Sequence, residues 1–283
     1  MKLKIITYNI LADYLNSPDF VLVDKKYLDN EYRIELLLKQ MDSVIENNSI
    51  LFLQEVGATQ LSNLYMYFEK KNYKILYFRH LAICYPNKFK LEFIEMNKIN
   101  TLSKKYIKDK NLIKKIDYFQ HSYILAKLSY KNKKFTICTT HIVANPDYNI
   151  IKVYQSFLLS KRLEKEDNVI FCGDFNSIPT SESFKLLKTG KTKINDKNIK
   201  IKNNFNSLYD PLNKGELNIT THTSNKVTSK FTETLDYIWL NPNIEIVNSG
   251  PIITKDEFKN KPFIPDKNNP SDHFMIYGTI IIK

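Results

Sequence analysis

The sequence predicts an α/β fold, two packed sheets covered by helices on both sides, and three observations predict it. Short apolar runs bounded by turn residues recur along the chain (KIITYN, ILFLQE, FTICTTH, VIFCGDFN), the pattern of buried strands. Helical spacings alternate with these runs instead of gathering at one end. Each run also stops on a polar group: Asn9, Glu55, His141, and Asp174 with Asn176. Buried strands carry no unpaired charge along their length. Acids, amides and an imidazole repeated at strand ends therefore point to one shared site, at the carboxyl ends where α/β folds bind ligands. A length of 283 residues suits one large α/β domain or two small ones. Strand signals run from residue 2 to the last residues with no Gly/Ser linker, so residues 1–283 read as a single catalytic-sized domain.

The elements follow in order. The first strand ends at Asn9. Residues 28–47 set Ile34, Leu37, Leu38 and Met41 at helical spacing. After the strand ending at Glu55, residues 58–70 put Leu61, Leu64, Tyr65 and Phe68 on one helix face. Strands are expected at 73–78, 81–85 and 89–95. Residues 97–117 (NKINTLSKKYIKDKNLIKKID) read as a basic, helical insertion. Segments 121–130 and 134–140 form a strand pair turning at YKNKK. Residues 148–164 make a helix carrying Ile151, Tyr154, Leu158 and Leu159, and FKLLK begins a short helix after the start signal SES. Residues 190–204 (GKTKINDKNIKIKNN) read as a polar loop. TLDYIWL and SDHF add Asp236, Asp272 and His273.

Composition narrows the function little. The net charge of +12 attracts phosphate polymers, but the richness in Lys, Asn and Ile also follows from AT-rich coding. Charge alone does not choose between RNA, DNA and an acidic lipid, and both basic stretches read as solvated surface. No run of roughly 18 apolar residues predicts a membrane span. MKLKIITYNI enters a strand pattern without a signal-peptide cleavage site, so an intracellular, cytoplasmic location is expected. Cys84, Cys138 and Cys172 sit in apolar strand-like stretches without a CxxC pair and read as buried reduced thiols.

The polar strand ends carry the chemistry. Glu55 offers the oxygen donors that Mg²⁺ prefers, the other positions being filled by water and substrate phosphate. Asp174 and Asn176, two apart after a strand, face one pocket, with Gly173 allowing a tight backbone turn beside them. A carboxylate behind an imidazole favours the protonated ring, which makes Asp236 and His273 a pair able to neutralise charge on a transferring phosphoryl group. Asp272 adds an oxygen for a second metal. Taken singly, each has a structural explanation as a cap, a surface acid or a satisfied histidine. Their joint occurrence in this order favours the functional one.

These motifs (TYN, FLQEV, TTH, GDFNSIP, LDYIW, SDHF) resemble the endonuclease/exonuclease/phosphatase superfamily, in its order and across nearly the whole chain. The resemblance implies a four-layer α-β-β-α sandwich with two mixed sheets and Mg²⁺-dependent phosphoester hydrolysis, with Mn²⁺ as an alternative ion. TYNILADYL, LAICYPNKFKLEF and NPSDHFMI are most similar to its deadenylase branch, which includes nocturnin, the Angel proteins, the yeast-type carbon catabolite repressor nucleases and 2′-phosphodiesterases. On that likeness Glu55 and Asn9 bind or orient metal and Asp272 serves a second one. Asp174 and Asn176 position the attacking water. His141 and the Asp236–His273 pair stabilise the transition state. Pro146 and Phe231 stand where that branch contacts the terminal base, with Asn145 beside them. The expected substrate is RNA with a single-stranded 3′ end, cut to 5′-monophosphates. A 2′–5′ oligoadenylate, a cyclic-phosphate RNA end, a dinucleotide phosphate or abasic DNA is the alternative substrate, and a non-catalytic RNA-binding protein the alternative class. The chain departs from the branch at Ala144 and Asn145, where Trp-Asp is common, and at His80 and Leu81, in place of Asp-Gly. No leucine-rich repeat is evident, so recruitment to a deadenylation assembly through one is not expected, and protein partners stay undefined.

Overall fold

A computed structural model describes residues 1–15, 20–210, 216, 219–226 and 229–283. Its first sheet has six strands. In sheet order these are β15 (Glu245–Ser249), β16 (Ile276–Ile281), β1 (Lys2–Asn9), β2 (Ser49–Gln54), β4 (Leu81–Pro86) and β3 (Tyr73–Phe78). The second sheet, also six-stranded, runs β11 (Asn206–Ser207), β14 (Asp236–Leu240), β8 (Val169–Asp174), β7 (Lys133–His141), β6 (Ser122–Tyr130) and β5 (Lys90–Lys98). The pairing pattern repeats. In each sheet a central parallel pair, β1/β2 or β7/β8, is flanked by antiparallel strands.

Alternation along the strands builds the layers. Leu3 and Ile5 of β1 pack with Ile50 and Phe52 of β2 and with Ile137, Ile170 and Cys172 of the other sheet. That is the layer between the sheets. Ile6 and Tyr8 point the other way, onto Leu37 and Met41 of α1 (Asn30–Val44) and Leu64 and Phe68 of α2 (Ala58–Lys70). On the far side, Phe171, Tyr237 and Trp239 pack beneath α5 (Asn149–Leu163) and α6 (Glu182–Thr189). This is the expected four-layer arrangement. No helix among the described residues is long and apolar enough to cross a membrane. The three cysteines are buried and unpaired.

Two stretches depart from expectation. Residues 97–117 are largely helical with Lys104, Lys105, Lys114 and Lys115 exposed, as expected, but the stretch is not solvated throughout. Asn97 and Lys98 finish β5, a 3₁₀ turn follows at Ile99–Leu102, and then come α3 (Ser103–Tyr106) and α4 (Lys110–Tyr118). Ile99, Leu102, Ile107, Leu112 and Ile116 from this stretch are part of the outer core. The lysines between them hid that apolar stripe. Within 190–204, the expected loop is largely a hairpin, β9 (Lys191–Ile194) with β10 (Lys197–Lys200). Asn195 and Asp196 turn it with φ of 44° and 58°. Asn and Asp tolerate such positive values, and two in succession suit a two-residue hairpin turn.

Candidate active site

Strand register assembles half of the site. His141, Asp174 and Asp236 are direct neighbours across β7, β8 and β14, because Asp174 pairs with His141 on one side and with Asp236 on the other. Asn9 pairs with Gln54 at the matching edge of the first sheet, one residue before Glu55. These are the carboxyl ends of the two parallel pairs, facing each other across the sandwich. β14 is antiparallel to β8, so Asp236 reaches the same edge from its strand's first residue. Glu55 leaves β2 with φ of 56°, a value uncommon outside Gly and Asn that concentrates at functional sites. Gly173 has a different reason from the tight turn expected of it. It lies inside β8 with φ of 149°, and a Cβ there would stand 2.0 Å from the Thr140 carbonyl oxygen of β7.

Asn9 ties the two sheets together. Its Nδ2 donates to Glu55 Oε1 at 2.9 Å and to Asp174 Oδ2 at 3.1 Å, while its oxygen accepts from Leu11 N at 3.1 Å. In this orientation Asn9 aligns carboxylates instead of offering an oxygen to a metal. Asp174 Oδ1 accepts from the Asn176 backbone N–H at 2.8 Å, and its Oδ2 lies 3.4 Å from His141 Nε2 and 3.8 Å from His273 Nε2. His273 Nδ1 is 2.7 Å from Asp236 Oδ2. Burial alone would lower the His273 imidazole, but the Asp236 charge overrides it, with Asp272 and Asp174 adding to the field, and holds the ring well above the ordinary histidine range. Burial pushes Asp272 up to about 6, with Glu55 adding to the rise and His273 and Arg33 opposing it.

The donor set fits a divalent cation. Ligand atoms of Glu55, His141 and Asp174 lie within 4.8 Å of one another, and so do those of Asp174, Asp236 and His273. Two carboxylates with adjoining imidazoles suit a hard ion bound through oxygen. Asp272 belongs to neither cluster, although it lines the same cavity. That cavity, of about 570 Å³, also includes Pro146 and Phe231, so the structure brings the expected base contacts to the carboxylates. Asn176 lines it too, and its Nδ2 donates one hydrogen bond to the Ile142 carbonyl at 3.0 Å. Asn145 is not brought in. Its side chain accepts from Asp147 N at 2.8 Å, capping the 3₁₀ turn that starts at Pro146, and it does not line the cavity.

Sequence reasoning missed the groups that hold these loops. Lys152 is buried, and its Nζ donates to the Ala144 carbonyl at 3.1 Å and the Asn176 carbonyl at 2.6 Å, clamping the loops after β7 and β8. Burial lowers its pKa against the pull of Asp174. Arg33 Nε donates to the Pro270 carbonyl at 2.6 Å, and its Nη2 donates to the Ile10 carbonyl at 2.8 Å and to that of Leu11. Ser271 Oγ donates to the Asn9 carbonyl at 2.7 Å, which brings Asp272 and His273 to β1. A signal for Arg33 exists in the sequence. It falls four residues before Leu37 and eight before Met41, on the buried stripe of α1, where a charge needs a partner.

Comparison with known proteins places this arrangement. A model of the Endonuclease/Exonuclease/phosphatase family matches residues 6–273. Among curated proteins, the CCR4-Not complex 3′-5′-exoribonuclease subunit Ccr4 of Candida albicans is 24% identical over an alignment 331 positions long, gaps included, covering 99% of this chain and 41% of that protein. The Saccharomyces cerevisiae protein of the same name is 29% identical over 168 residues, covering 48% of this chain and 19% of that one. The chain thus spans well under two thirds of these relatives' length. Among solved structures, ANGEL2, described as a 2′,3′-cyclic phosphatase in complex with adenosine-2′,3′-vanadate, superposes with a TM-score of 0.83 at 19% identity, over 99% of this chain and 95% of that one. The human Nocturnin catalytic domain gives 0.72 at 21% identity, over 99% and 94%.

Proposed function

The chain belongs to the Endonuclease/Exonuclease/phosphatase family, and on that premise we propose that it is a Mg²⁺-dependent 3′–5′ exoribonuclease that trims A-rich single-stranded ends and releases 5′-monophosphates. One observation carries the reading. Pro146 and Phe231 line the same cavity as Glu55, His141, Asp174 and His273, so a terminal base and its 5′-phosphate have adjoining places. A proline face and a phenyl ring suit a purine through stacking and apolar contact. The 3′-5′-exoribonuclease activity named for the Ccr4 relatives supports the direction of attack.

Glu55, aligned by Asn9, would hold the cation with Asp174 beside it. Bound there, the ion would reduce the charge of the scissile phosphate and acidify water. Asp174, oriented by the Asn176 N–H and the Asn9 amide, accepts the proton of the attacking water as that oxygen bonds to phosphorus and the bond from phosphorus to the upstream 3′ oxygen breaks, the 3′ oxygen leaving as a hydroxyl protonated from solvent. His273, kept protonated by Asp236, presents Nε2–H to charge that builds on the phosphoryl oxygens, and His141 faces the same point from β7. Lys152 and Arg33 hold the loops that carry these groups.

The test is a substrate panel run with Mg²⁺ and again with chelator: A20, C20, a 2′–5′ adenylate trimer, RNA with a 2′,3′-cyclic end, and abasic duplex DNA. The expected result is stepwise release of 5′-AMP from A20, faster than release from C20 and abolished by chelator. An inert A20 beside rapid turnover of another member of the panel would reject the reading.

A further inference from the structure

A second cavity adjoins the first, and nothing in the mechanism uses it. It measures about 270 Å³ and shares His141 with the catalytic cavity; its other polar lining residues are Arg79, His80, Gln120, His121 and Ser122. None of the described residues lining it is acidic. Arg79 and His80 form the turn between β3 and β4, and both are exposed. The Tyr14 ring stands beside His80, with centroids 5.6 Å apart, and Tyr14 is near enough to Glu55 to feel its charge. The cavity thus flanks the Glu55–His141 side, whereas Pro146 and Phe231 line only the catalytic cavity.

The hydrogen bonds around His121 settle what it offers. Gln155 Oε1 accepts from the Val143 backbone N–H at 3.0 Å, which fixes the amide's orientation. Its Nε2 is then the donor to His121 Nδ1, at 3.2 Å. With Nδ1 accepting, the proton of a neutral ring must sit on Nε2. Burial, with His141 and Arg79 nearby, keeps the ring neutral by lowering it to about 4. His121 is therefore a fixed N–H donor, held against Phe119 with the rings 25° apart. A cationic guanidinium and a fixed N–H donor, with no carboxylate among the described lining residues, complement a phosphate, and the Ser122 hydroxyl beside them donates to the Gln120 carbonyl at 3.5 Å.

We propose that the cavity formed by Arg79, His80, His121 and Ser122 is a phosphate subsite that holds the phosphate next to the scissile one, on the upstream nucleotide. The inference rests on the exoribonuclease reading, in which the terminal nucleotide fills the Pro146–Phe231 side and the chain continues past His141. The subsite gives the enzyme a grip on backbone that is independent of base. Its ligand is a phosphate group, either a 5′-terminal monoester or an internal diester.

Three short substrates separate the sources. ApA has only the scissile phosphate, pApA adds a terminal monoester, and ApApA adds an internal diester. The variant is Arg79→Asn, because position 79 has φ of 58° and Asn tolerates that turn. In the wild type, kcat/KM should be about tenfold higher for pApA, ApApA or both than for ApA, the scale of one charge-assisted hydrogen bond. In R79N that ratio should fall to about one, and Arg79→Lys should restore part of it. A preference for pApA alone assigns a terminal phosphate; a preference for ApApA as well assigns the backbone. Turnover of all three with no preference in the wild type, or a preference unchanged in R79N, overturns the subsite. No turnover of any adenylate, A20 included, is the separate failure of the exoribonuclease reading, and the subsite falls with it.

Discussion

His273 owes its charge to Asp236. The imidazole is buried, and without the carboxylate 2.7 Å away burial would leave it neutral at ordinary pH. The folded-state pKa is raised, so the protonated ring persists above its unfolded value near 6.5, and its stabilising pairing is lost only as pH rises through the folded value. Asp236→Asn removes the charge and keeps the shape. The basic limb of kcat/KM should then move to lower pH by about one unit or more, so that the variant is impaired far more at pH 8 than at pH 6. A loss of the same size across that range would show that Asp236 acts by shape alone. The pair was legible in the sequence as LDY and SDHF. The orientation of Asn9 was not, because only the coordinates show its amide turned to two carboxylates and its oxygen to Leu11.

At the scale of elements, β1, β2, β7 and β8 were readable because each runs apolar and then stops on polar residues, whereas β14 starts on its polar residue, Asp236. The basic segments were not. In 97–117, lysines separate Ile107, Leu112 and Ile116, and the charge run masked a helical stripe that packs onto the outer face of the second sheet. This has a measurable consequence. Ile116→Ala should cost about 2–4 kcal/mol of unfolding free energy, as a fully buried aliphatic truncation does, whereas Lys114→Ala should stay within about 0.5 kcal/mol. Urea titration distinguishes the two, and equal small effects would return the segment to the surface. The hairpin within 190–204 was hidden for a different reason. Its strands are only four residues each and their apolar content is low, so the turn residues Asn195 and Asp196 were its clearest mark. The strand THTSN, which supports His273 through the Thr221 bridge, carries no apolar period at all.

The whole molecule repeats one arrangement twice without an evident sequence repeat. Each sheet centres on a parallel pair, and the two pairs face each other so that their carboxyl ends meet along one edge. That meeting explains why residues from Glu55 to His273 line one pocket, with Asn9 and Asp236 buried behind it, and why strand ends announced much of the site. A buried polar ladder joins the sheets just beneath it, with Gln54 Nε2 donating to Thr7 Oγ1 at 3.2 Å and to Thr139 Oγ1 at 3.1 Å. The two sheets thus line a single candidate site, and groups that act as a unit have non-additive effects. The direct measurement is single-turnover release of 5′-AMP from A20 with saturating Mg²⁺ for Asp174→Ala, His273→Ala and the double variant. Each single change should lower the rate by about 10²–10³, and the double should fall little further. Full activity in either single variant, or losses that multiply in the double, would contradict a shared centre.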